Sequence, residues 1–163
     1  MERSPELVIT TPDKKDPISK REIGEEVRKL NSDWSVYHLE GNFEKAKKES
    51  NQLYAKVKDS ANFIELTDIL SIRAWSTYYF EKKEGIKNTA HTIAEKAIEM
   101  TLGTEMLANF HKVAGLSHLQ NGDKESAKVF FDSSLELAIK SGNENKIGKV
   151  KTDLGIELNN YRL

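Results

Sequence analysis

Cysteine is absent from the 163 residues. That absence excludes disulfides, thiolate nucleophiles and thiolate metal ligands together, and it fits a reducing compartment, with the cytoplasm as the expected location. Proline is scarce and confined to Pro5, Pro12 and Pro17, so beyond position 17 no residue breaks a helix by withdrawing an amide donor. Charge of one dominant sign is lacking too: 25 basic side chains face 26 acidic ones, for a net charge of −1. No global field therefore favours nucleic acid or an anionic membrane surface, and neither is expected as a partner. No apolar run approaches a membrane span, and the Pro-broken segment before Ile18 lacks the apolar core of a signal peptide. Neither a Gly-rich phosphate loop nor a Glu set between paired histidines in the metalloprotease manner is present.

What the sequence does have is helical periodicity. Residues 1–18 read as a flexible arm and 19–163 as one helical-repeat domain, divided into an N-terminal bundle (19–83) and helix pairs (84–163). Ser19 with Glu22 forms a capping-box pair, and Ile18 with Ile23 occupies the staple positions, so a first helix starts near Lys20 and ends at Gly41. Its apolar members Ile23, Val27, Leu30, Trp34 and Tyr37 recur at steps of four or three, which makes one stripe. Phe43 to Val57 supplies a second helix. Asn62 with Glu65 opens a third, running to about Lys83, and Gly85 closes it. Ile86, Ala90, Ile93, Ala94, Ala97 and Ile98 are spaced for the buried face of a fourth, with Gly103 placed to stop it in a left-handed conformation. A fifth spans about Glu105 to Gln120, a sixth ends at Gly142 and a seventh covers roughly Glu144 to Asn160. The fold class is all-α, with about seven antiparallel helices.

Three turns repeat one arrangement. Gly41, Gly85 and Gly122 each precede an alanine by five residues, at Ala46, Ala90 and Ala127, and small or apolar residues follow each alanine four and seven positions later. These are Ser50 and Leu53, Ala94 and Ala97, Phe131 and Ser134. A tight turn needs glycine, and a small residue early in the next helix lets two backbones approach closely.

Those positions resemble tetratricopeptide repeats, most closely from His111 to Ala138, where Gly115, Gly122, Asp123, Ala127, Phe131 and Leu135 fall at the family's spacing. The glycines stand 44 and then 37 residues apart, longer than the standard unit of about 34. The resemblance implies a right-handed superhelical stack of helix pairs and a function in binding polypeptides. Ile18-Ser19, Glu22, Leu30-Asn31, Trp34, Lys45-Ala46 and Arg73 further resemble the N-terminal bundle of the Rap family, which inhibits or dephosphorylates response regulators. Ala55 stands where that family has its catalytic glutamine, with Gln52 one turn away. The family's peptide-clamping asparagines are unmatched, since the equivalent positions hold Val113 and Asp153. An interaction module is therefore expected ahead of an enzyme, with the Rap-like inhibitor or phosphatase and a purely self-assembling protein as alternatives.

Candidate chemistry is sparse. Of the four histidines, His38, His91, His111 and His118, only the last two share a helix, and they stand about 10 Å apart along its axis. That is too far to hold one ion without a third element, so no metal and no cofactor is expected. In the aromatic run Trp75, Tyr78, Tyr79 and Phe80, Trp75 and Tyr79 are expected in the core and Tyr78 or Phe80 in a groove. If first helices line a concave surface, the partner-binding residues are Asn109, Lys112, Leu116, Leu119 and Gln120, joined by Tyr78. The seventh helix, left without a successor, implies a homodimer through that edge.

Overall fold

The computed structural model describes residues 18–100 and 103–142, with single positions 144, 145, 148, 151 and 152 beyond them. Among the described residues six helices form in order: α1 (Lys20–Glu40), α2 (Phe43–Val57), α3 (Phe63–Glu84), α4 (Ala90–Ile98), α5 (Thr104–Gln120) and α6 (Lys124–Ser141). The architecture is all-α. The expected arm and most of the expected seventh helix lie outside the described residues.

Local chemistry sets the boundaries. Ser19 and Asn62 each accept from the backbone amide three residues on, while Glu22 and Glu65 reach back to the cap amides. Two reciprocal capping boxes thus satisfy donors that a helix start leaves free. Gly41, Gly85 and Gly142 end α1, α3 and α6 with φ near +70°, a conformation that costs glycine nothing. Gly103 behaves differently. Its φ of −63° makes it the extended N-cap residue of α5, and α4 has already ended at Ile98. Ile86 also departs from expectation, since it lies exposed in the loop before α4. The cause is Asn88, which is buried and holds residues 86–89 out of helical geometry: its side chain donates to the Tyr78 carbonyl at 3.0 Å and accepts from Ser117 Oγ at 2.7 Å.

Two apolar clusters share α3. Ile23, Val27, Leu30, Leu53, Val57, Ile69 and Ile72 join α1, α2 and the first half of α3. Leu70, Ala74 and Tyr78 continue into a second cluster with α4, α5 and α6, where Phe110, Val113, Leu119 and Phe131 are the large members. α3 is accordingly buried around much of its circumference, as a central helix must be. The three alanines of the repeated turns, Ala46, Ala90 and Ala127, are all fully buried, as are Ser50, Ala94, Ala97 and Ser134.

Each helix packs on its neighbour in sequence. Beyond that, α1 contacts α3 and α3 contacts α5, whereas among the described residues α2, α4 and α6 make no contact with one another. α1, α3 and α5 therefore lie side by side in one layer, with α2, α4 and α6 each packed against members of it.

Candidate functional site

The layer of α1, α3 and α5 carries a row of rings. On α1, Trp34 and His38 lie 5.2 Å apart between centroids, and His38 meets Tyr79 of α3 edge-on at 5.2 Å. Phe43, at the start of α2, stacks on Tyr79 at 4.9 Å, and Tyr79 stacks on Trp75 at 5.8 Å. The row passes to α5 through polar contacts: Trp75 Nε1 donates to Asn109 Oδ1 at 3.1 Å, Asn109 Nδ2 donates to Ser71 Oγ at 3.0 Å, and Lys112 Nζ lies 5.4 Å from the Trp75 ring. Trp34, Phe43, Trp75, Tyr79 and Asn109 are half-buried and His38 is exposed. Aromatic faces and amide edges together suit a ligand that has both apolar side chains and a peptide backbone.

The residues expected to line a groove divide. Asn109 and Gln120 remain half-buried. Leu116 and Leu119 belong to the apolar core, and Lys112 is only 8% exposed, its stem packed along Trp75. Tyr78 is 1% exposed. Its ring sits edge-on to Trp75 and Tyr79, so it is the ring buried most deeply, and Trp75 and Tyr79 take the accessible side instead. The inversion follows from α4, whose Ala90 and Ala94 share the Tyr78 cluster.

A second constellation lies across α4 and α5. His91 Nδ1 and His118 Nε2 donate to one oxygen, Glu95 Oε2, at 3.0 and 2.9 Å. The two imidazoles stack at 4.2 Å, and Phe130 of α6 stacks on His118 at 5.3 Å. Asp123, the N-cap of α6, puts Oδ2 3.8 Å from His118 Nδ1. Its carboxyl is held below the usual range, chiefly because it accepts from the Ser126 amide. Among the described residues His91, Glu95 and His118 are the one group of three or more His, Asp or Glu side chains whose ligand atoms all lie within 4.8 Å of one another.

No known protein family, curated protein or solved structure matches the chain.

By sequence only His111 and His118 share a helix, and their separation along it argues against a joint site. The partner of His118 that matters is His91, which has Glu95 four residues on and so shares its face of α4. That i, i+4 pair was visible in the sequence, but the approach of α5 to it was not. His111 instead turns inward against Phe130, at 5.6 Å. Its Nδ1 is buried with no hydrogen-bond partner among the described residues, and burial lowers its pKa.

A cleft of about 450 Å³ lies between α1 and α2, floored by Leu30 and Leu53 and rimmed by Glu26, Lys29, Asp33, Glu49, Gln52 and Lys56. Lys56 bridges it to Glu26 at 2.8 Å. No helix among the described residues is long and apolar enough to cross a membrane.

Proposed function

We propose that the chain is a tetratricopeptide-like interaction module of a reducing, cytoplasmic compartment, acting by binding rather than catalysis and holding a peptide or protein along α1, α3 and α5. The row Trp34–His38–Tyr79–Trp75–Asn109 carries this reading, because half-buried rings offer contact area at little entropic cost and the Asn109 amide gives direction. The alternation of contacts supports it: three first helices share one layer, as a superhelical stack of pairs requires. A photo-reactive amino acid at position 38, with position 125 on α6 as control, tests it in cell lysate. A polypeptide joined at 38 and not at 125 supports the reading; equal capture at both overturns it. Product of twice the chain mass as the only adduct makes the module a self-assembling one.

The α1–α2 cleft favours a second reading, that of a Rap-like inhibitor of a response regulator, because exposed Gln52 lines it. Its test is loss of phosphate from a phosphorylated regulator, with Gln52→Ala separating hydrolysis from simple sequestration.

A further inference from the structure

We propose that His91, Glu95 and His118 form a site for a divalent transition-metal ion of the zinc type, bridging α4 and α5. Two imidazole nitrogens from different helices already converge on one carboxylate oxygen, at 3.0 and 2.9 Å. Ligand atoms about 2.1 Å from a tetrahedral zinc stand about 3.4 Å from one another. The three donors here lie within 4.8 Å of one another, so a change of side-chain torsion suffices and the helices need not move.

The donor set selects the ion. Two neutral imidazoles and a carboxylate suit zinc and its neighbours in the first transition row, whereas magnesium and calcium demand oxygen ligands. In a chain without cysteine, paired histidines are the strongest zinc donors on offer. The surroundings resemble the support that such sites need. Asp123 Oδ2 faces the other nitrogen of His118 at 3.8 Å, and the Phe130 ring stacks on His118 and walls one side against water. The Glu95 side chain is 42% exposed, so a fourth coordination position opens to solvent and is filled by water. A bound ion replaces two hydrogen bonds to a shared oxygen with three metal–ligand bonds, and so ties α4 to α5.

The test is calorimetric titration of the chelator-treated full chain with zinc chloride, with magnesium chloride in parallel. One zinc per chain and no magnesium uptake is the expected result. Glu95→Gln leaves an acceptor oxygen for the histidines at a half-exposed position, so the fold persists, as circular dichroism checks, and zinc affinity falls at least about tenfold. His91→Gln gives the same loss, and Glu44→Gln, at an exposed position on α2, binds as the parent does. Absence of zinc uptake by the parent overturns the proposal, and so does parental affinity in either Glu95→Gln or His91→Gln.

Discussion

Gly115 of α5 lies directly beneath the ring of Phe131 of α6: a β-carbon at position 115 would stand 2.6 Å from Phe131 Cε1, 2.7 Å from Cδ1 and 3.2 Å from the carbonyl oxygen of Ala127. The first two distances are far inside van der Waals contact, and Phe131 is fully buried, so its ring has little room to withdraw. Gly115→Ala should therefore cost about 1–3 kcal/mol through overpacking, despite the better helix propensity of alanine. Urea unfolding followed by circular dichroism checks it. An unchanged midpoint would mean that α5 and α6 are not in this contact.

That contact shows how far the sequence could be read. Gly115, Ala127 and Phe131 were recognisable as the small and large positions of one helix pair because their spacing reports which residues meet across a turn. Helix ends were legible for a similar reason: the capping boxes at Ser19 and Asn62 involve neighbours three residues apart, so no distant packing decides them. Reading failed where a distant element intervened. Ile86 fits the stripe of α4 by spacing, yet Asn88 is taken up by Tyr78 and Ser117, 10 and 29 residues away. Tyr78 and Tyr79 are adjacent on one helix, and only the position of α4 decides which is buried. The His91–Glu95–His118 cluster combines both cases, half written in an i, i+4 pair and half supplied by packing.

Asn88 should be among the least replaceable polar residues. Its side chain serves the Tyr78 carbonyl, Ser117 Oγ and the Ala90 amide, while its backbone exchanges two hydrogen bonds, both 2.8 Å, with the Asn121 side chain. Asn88→Ala removes three side-chain partners at a fully buried position, and each group left unpaired costs about 1–3 kcal/mol. Asn121→Ala truncates an exposed side chain and removes partners of the Asn88 backbone alone, whose carbonyl keeps Ser117 Oγ at 3.4 Å, and it should cost less. Thermal unfolding of both variants gives the ranking; equal losses would contradict the assignment of Asn88 as the centre of the network.

The link between Trp75 and Asn109 should behave as a coupled pair. Trp75→Phe keeps a ring against Tyr79 but removes the indole N–H, and Asn109→Ala removes the acceptor together with the bond to Ser71. A double-mutant cycle on stability should give an interaction energy of about 0.5–1.5 kcal/mol, typical of one neutral hydrogen bond. Additive losses would show that the Trp75–Asn109 hydrogen bond contributes nothing to holding α5 against α3.

His111 should make the fold sensitive to acid. Burial lowers its pKa in the folded chain, and its Nδ1 has no partner among the described residues to welcome a proton. Above the ordinary histidine pKa of about 6.5 both folded and unfolded states are neutral at this position, and pH has no effect through it. As pH falls through about 6.5, the unfolded chain takes up a proton that the folded chain resists, so stability declines until the folded-state group also protonates. His111→Phe keeps an aromatic ring beside Phe130 and abolishes this term. Urea midpoints of parent and variant, measured at about pH 7.5 and about pH 5, should diverge in the variant's favour at the lower value. Every other titratable group is common to both proteins and cancels in the comparison. A difference between parent and variant that stays constant across the two pH values would show that His111 takes its proton as readily folded as unfolded, which is incompatible with its burial against Phe130.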